Sequence, residues 1–143
     1  MTISRILVAV DGSEPSLHAV DLAALLARST QASLELVSVL DLGQLEYLQT
    51  QLLTDEQLRL WHSGQRRAVL DEAHARLPKD LPPPTLRLLH GRAATTLVER
   101  AKETEADLIV IGRTGKGAVA RLMVGSVSRK VSLLSDVPVL QVP

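Results

Sequence analysis

The chain has 143 residues with 16 basic and 16 acidic side chains, so its net charge is zero and it lacks the electrostatic footprint of a protein that binds DNA, RNA or an acidic membrane surface. It contains no cysteine, which excludes disulfides, a thiol nucleophile and thiolate metal sites and agrees with a reducing cytosol. Phe is absent and Trp and Tyr occur once each, so stacking platforms for single-stranded nucleic acid are missing.

No apolar run approaches the length of a membrane span, and the first residues lead into a strand pattern rather than a signal peptide. A single domain over 1–143 in the cytoplasm is the expectation, with a core of Leu, Val, Ile and Ala. Residues 6–10 are an apolar strand closed by the turn Asp11-Gly12-Ser13. Ser13 can cap the helix that follows, and Pro15 falls in its first turn, where a missing N–H costs little. Leu17, Val20, Ala24 and Ala27 form one stripe of that helix, which runs to about residue 29 and packs on a sheet. Residues 34–40 are the second strand. The stretch 41–54 is ambiguous: Leu45, Leu48 and Leu52 have helical spacing, but Gly43 opposes it.

Helical spacing returns over 55–77, with Leu58, Val69, Ala73 and Leu77 as apolar contacts and Trp61 expected to help cover the core. The neighbouring Arg66 and Arg67 read as a solvated helix face. Pro78 and the prolines at 82–84 end the helix. A third strand follows at 85–89, with Leu86 and Leu88 against Arg87, then a helix at 93–104 with Leu97, Val98 and Ala101 inward. Residues 107–111 form a fourth strand, 127–134 a helix and 137–142 a fifth strand. Such alternation predicts a doubly wound α/β domain with a parallel sheet and helices on both faces. Ligands of open sheets of this kind bind at the strands' C-terminal ends, here Asp11 and Gly112.

The sequence Gly112-Arg113-Thr114-Gly115-Lys116-Gly117 begins as the fourth strand ends, and Gly125-Ser126 precedes the next helix. Residues without a Cβ let backbone approach a ligand closely, and successive exposed N–H groups make a nest for an anion. Lys116 adds a positive charge, and a helix N-terminus attracts phosphate through its unpaired N–H groups. A phosphate-bearing ligand, a nucleotide above all, fits this set. It is not a P-loop, because no Ser or Thr follows Lys116, and Asp11-Gly12-Ser13 lacks the three glycines of a dinucleotide-binding turn. Asp11 has a competing reading as a turn residue bonded to its own backbone. Arg113 and Lys116 have a competing reading as solvated loop charges, of equal weight with ligand contact for Arg113, and Gly117 reads as a turn residue. His18, His62, His74 and His90 have no metal spacing and read as surface or satisfied core residues.

The opening Ile6-Leu7-Val8-Ala9-Val10-Asp11-Gly12-Ser13 resembles the start of a universal stress protein domain. Ala106-Asp107-Leu108-Ile109-Val110-Ile111-Gly112, continuing through Gly125-Ser126 to Val137-Pro138-Val139-Leu140, is similar to that family's ending, and Gly91 and Ala94 also fit. The resemblance spans the chain, is least specific over 40–84, and rests on the motif G-x2-G-x9-G-S at Gly112, Gly115, Gly125 and Ser126. It implies the ATP-binding type of the family and a five-stranded sheet of order 3-2-1-4-5, of the adenine-nucleotide alpha-hydrolase-like kind. It further implies that Asp11 faces the adenine and ribose and that the backbone of Val39 contacts the base. Gly112 and Gly115 would lie along ribose and phosphates, with Gly125 and Ser126 around the phosphate tail and Ser128 a weaker phosphate candidate. Lys116 is a cation beyond what the glycine pattern needs and favours a triphosphate, with Mg2+ as its companion, or another polyanionic ligand. The resemblance also implies a homodimer paired through the last strand, 137–142, an apolar edge that otherwise invites indiscriminate pairing.

The function expected is a nucleotide-binding regulator of stress or signalling without rapid turnover, whose ligand biases 41–54 and the glycine loop toward one arrangement that a protein partner reads. No residue is a convincing catalytic base. The alternatives are a slow ATPase, an autophosphorylating protein with Ser126 or Ser128 as acceptor, a nucleotidyl-transfer enzyme, and an interaction module that binds a cyclic nucleotide or none.

Overall fold

In the computed structural model the described residues are 1–41, 54–113 and 126–143. Among them, five strands and four helices alternate. They are β1 (Arg5–Ala9), α1 (Glu14–Thr30), β2 (Ser33–Asp41), α2 (Asp55–Arg76), β3 (Thr85–Gly91), α3 (Ala93–Glu103), β4 (Leu108–Gly112), α4 (Ser126–Leu134) and β5 (Val139–Val142). The strands form one sheet, ordered β3-β2-β1-β4-β5. Every neighbouring pair is parallel, and β1 lies at the centre with Ile6 opposite both Leu34 and Leu108.

Side chains alternate across a strand, so each sheet face collects its own core. Ile6, Val8, Leu36 and Val110 pack with Ala19, Val20, Ala23 and Ala27 of α1 and with Leu70, Ala73 and Leu77 at α2. On the other face Leu7, Val37, Ile109 and Ile111 pack with Ala94, Leu97 and Ala101 of α3 and Val131 of α4. The row of alanines on α1 lets that helix lie close to the sheet without large aromatic side chains.

Local chemistry sets the helix ends. Ser13 caps α1, its side chain accepting from Ser16 N, and Gln31 closes the helix in the left-handed region at φ 61°. Thr54 and Gln57 form a reciprocal capping box on α2. Arg92 offers no side-chain cap to α3; instead the carboxylate of Asp41, at the end of β2, accepts from Ala93 N at 3.2 Å. A half-buried ion pair ties the same layers together lower down, where Arg100 of α3 donates to Glu35 of β2 at 2.6 Å.

The fifth strand starts at Val139, two residues later than the apolar run predicts. Val137 belongs to a turn in which the Ser135 hydroxyl accepts from its N–H and donates to its carbonyl. Trp61 does not cover the core. It stands one position, about 100° of helix, before the inward stripe of His62, Leu70 and Ala73. It is 54% exposed, with its ring edge-on to His62.

Asp107 fastens the start of β4 to the start of β1. Its Oδ2 accepts from Ser4 N at 2.8 Å and Arg5 N at 2.9 Å, and its own N–H donates to Arg5 O. The bond from Ser4 N, then that from Arg5 N, holds its carboxyl below the usual carboxylate range. A depressed native value stabilises the fold above the unfolded-state value and loses that effect as pH falls through the native one. Asp107→Asn should therefore lower the urea midpoint above about pH 4. The gap from the parent chain should close as the solution is acidified further, which denaturation curves over a pH series would check.

Candidate functional site

At the C-terminal edge of the sheet, β1 and β4 are each followed by a helix, and the two helices pack on opposite faces. The Asp11-Gly12-Ser13 turn leads into α1 on one side, and α4 packs on the other. A crevice at such a divergence is the usual ligand site of doubly wound sheets.

Asp11 is half-buried in a tight turn. Its Oδ1 accepts from the Ser13 N–H at 2.8 Å and from the Ser13 hydroxyl, while Gly12 takes φ 82°, which a side chain would resist. The turn reading of Asp11 is therefore realised at one oxygen. Its Oδ2 accepts no hydrogen bond among the described residues, so a second role for the carboxylate is compatible with the first. Ser16 braces the arrangement by donating from Oγ to Ser13 O at 2.9 Å.

Pairing between β1 and β2 ends where Val10 N donates to Val37 O at 2.8 Å. Peptide groups two residues apart on a strand face the same neighbour. The backbone edge of Val39 thus lies on the β1 side of β2, one step beyond that last bond, while its side chain is buried in the core under α3. This places the backbone of Val39 and the carboxylate of Asp11 at the same end of the sheet.

Gly112 ends β4, and the structure supplies a packing reason for its missing side chain. A Cβ there would stand 2.8 Å from Pro15 C and from Ser16 N, both backbone atoms of the first turn of α1. The next residue, Arg113, is exposed; its N–H donates to Val142 O at 2.6 Å, and its carbonyl accepts from the Ser128 hydroxyl at 2.8 Å. Ser128 is buried, and this bond sets the first turn of α4 beside the end of β4. Exposed Ser126 is the first residue of that helix, whose N–H groups therefore open near the crevice. Gly115, Lys116 and Gly125 lie outside the described residues, as does the stretch 42–53.

Two side chains of α2 belong to this edge although their sequence setting reads otherwise. Arg67 is exposed and pairs with Asp71, as a solvated face requires. Arg66, however, is half-buried, and its Nη1 donates to the carbonyl of Asp11 at 3.4 Å. His62, one turn earlier, has Nε2 buried with no hydrogen-bond partner, so it is not a satisfied core histidine. Burial, and secondarily the charge of Arg66, holds its imidazole below the usual range and so favours the neutral ring. The sequence signal for both is their place at i and i+4 ahead of the buried Leu70 and Ala73, a helical stripe that turns polar at one end.

Among the described residues no group of three His, Cys, Asp or Glu side chains is arranged to hold a metal ion. No helix among them is long and apolar enough to cross a membrane. The edge instead offers a carboxylate oxygen, a backbone edge and a helix N-terminus, a donor and acceptor set that fits a base, ribose hydroxyls and phosphate.

These features define a doubly wound α/β domain whose strand order reverses between β1 and β4. The universal stress protein family model matches residues 2–143, and the chain belongs to that family. The universal stress protein YxiE of Bacillus subtilis (strain 168) is 32% identical over 146 residues, covering 96% of this chain and 97% of its own. A universal stress protein crystallised in complex with cAMP is 29% identical, with TM-score 0.71 over 99% of this chain and 98% of that one. The universal stress protein from Archaeoglobus fulgidus in complex with dAMP is 26% identical, with TM-score 0.73 over the whole of both chains.

Gly112→Ala should push the first turn of α1 away from β4. A misfit of this size in packed backbone costs about 1–3 kcal/mol, so chemical denaturation should show a clear loss of stability. A variant as stable as the parent would mean that α1 can shift without penalty.

Proposed function

We propose that the chain binds an adenine nucleotide, ATP accompanied by Mg2+ in the first instance, in the crevice between the ends of β1 and β4. The observation that carries this reading is the joint placement of the Asp11 carboxylate, the Val39 backbone edge and the N-terminus of α4 at one end of the sheet. In this reading Val39 meets the base and Asp11 Oδ2 the base and ribose end. Gly112, Gly115, Lys116, Gly125 and Ser126 follow the ribose and phosphates. Crystallised neighbours holding cAMP and dAMP support an adenine nucleotide, and the first of them supports a cyclic nucleotide as the alternative ligand. Ser128, whose hydroxyl donates to the Arg113 carbonyl, braces α4 beside the phosphates and is the weaker phosphate candidate in this reading.

The protein acts in this proposal as a cytoplasmic, homodimeric regulator, with bound nucleotide selecting the form that a partner reads. Asp11 is already engaged by Ser13 through one oxygen, which favours binding over activation of an attacking water. The dimer would form along β5, an edge strand whose Val139 and Leu140 are half-buried in the single chain.

Calorimetry with ATP, AMP and cAMP tests the binding site. Several backbone hydrogen bonds to charged oxygens, each about 1.5–3 kcal/mol, support affinity of micromolar order. The double variant Gly115→Val with Gly125→Val should fold and lose about a hundredfold or more of that affinity; unchanged binding would remove the phosphate site from 112–126. For the dimer, Val139→Glu places a charge in the paired edge and should shift sedimentation toward the monomer. A dimer of undiminished strength in that variant would place the interface elsewhere.

A further inference from the structure

We propose that Arg66, together with His62 and Ser38, forms a second anion subsite on the α2 side of the crevice, which takes a phosphate group other than the one at the N-terminus of α4. The proposal rests on the nucleotide reading only for where that phosphate comes from. It is either a phosphate on the ribose of the bound nucleotide or free inorganic phosphate.

Among the described residues two arginine side chains are withdrawn from full exposure, Arg66 and Arg100. Withdrawing a guanidinium from water is unfavourable unless an anion faces it. Arg100 follows that rule, with Glu35 at 2.6 Å and two further nitrogen–oxygen contacts within 3.3 Å. Arg66 does not: its hydrogen bond is a long one to a neutral carbonyl, Asp11 O at 3.4 Å, and no carboxylate pairs with it. A half-buried cation without a counter-charge, at the ligand edge of an open sheet, is a site waiting for an anion.

Two further observations come from other atoms. The buried side-chain polar atoms left without a partner among the described residues are Ser38 Oγ and His62 Nε2. Ser38 is fully buried, and it alternates with Val37 and Val39, whose side chains pack under α3. It therefore faces the layer that holds α2. The register of Ala9 against Val37 puts Ser38 level with the end of β1, where Arg66 reaches Asp11. His62 lies one turn from Arg66 on the same side of α2. An unpaired hydroxyl, an unpaired imidazole nitrogen and a guanidinium bonded only to a neutral carbonyl thus occur on facing elements of this end of the fold. A phosphate accepts from all three kinds of donor at once. The α4 terminus lies across the crevice, beside β4, so one phosphate cannot be assumed to serve both flanks.

The test measures affinity for adenosine 3′,5′-bisphosphate and for 5′-AMP on the full chain and on Arg66→Ala and Arg66→Lys. It also follows the His62 ring protons by NMR as inorganic phosphate is added. The bisphosphate should bind the parent about tenfold more tightly than 5′-AMP, a charge-assisted bond's worth. That preference, taken as the ratio of the two affinities within each protein, should vanish in Arg66→Ala and return in part in Arg66→Lys. Equal affinity of the parent for both nucleotides, with phosphate leaving His62 unmoved, overturns the subsite and leaves the nucleotide reading standing. Should neither nucleotide bind while phosphate shifts His62 in the parent and not in Arg66→Ala, the subsite stands and the nucleotide reading falls.

Discussion

The contact on which this edge of the molecule depends is the approach of α1's first turn to the end of β4. It is possible because Gly112 has no Cβ: the atoms it would strike, Pro15 C and Ser16 N, are backbone and cannot rotate aside. The contact brings the end of β4 and the start of α1 together, and the Asp11 turn with it. Ser13 then does two jobs, capping α1 and holding one oxygen of Asp11. From the other face, Ser128 holds the start of α4 against Arg113, the residue after Gly112. The two flanks of the crevice are therefore set by short-range bonds anchored on the ends of two neighbouring strands.

The rest of the sheet keeps those ends in place. Asp107 fixes the opposite end of β4 to β1 through two backbone amides, so the strands cannot slide relative to each other without breaking charge-assisted bonds. A one-residue slip would also exchange the two cores, since Leu7 and Val8 face opposite layers. Binding chemistry at one end of the sheet thus rests on register enforced along its whole length.

Much of this was legible in the residues. In the runs 6–10, 34–40 and 107–111 every residue but Glu35 and Asp107 is buried, and their apolar residues mark them as inner strands by composition alone. Ser13 and the prolines after residue 77 mark helix ends by local chemistry alone. Less legible was anything decided by direction around a helix. Trp61 and His62 are adjacent in sequence, yet a step of about 100° sends the larger side chain to solvent and the polar one inward. Arg66 and Arg67 look equivalent as a pair, and only the position of β1 beneath α2 separates them. Gly112 was read as a ligand contact, whereas packing against α1 already requires it to be glycine; the two demands fall on one atom position. The beginning of β5 was misplaced because a serine hydroxyl, not a ladder partner, satisfies Val137.

On the proposed reading, one end of this sheet, and not a helix face or the opposite end, receives a nucleotide. Backbone amide chemical shifts recorded during titration with ATP test it most directly. Changes are expected at Val39, at the residues from Asp11 to Ser13 and at Ser126, with Asp107 and the Arg100–Glu35 pair unmoved. Shifts centred on those last residues, or none at saturating nucleotide, would contradict it.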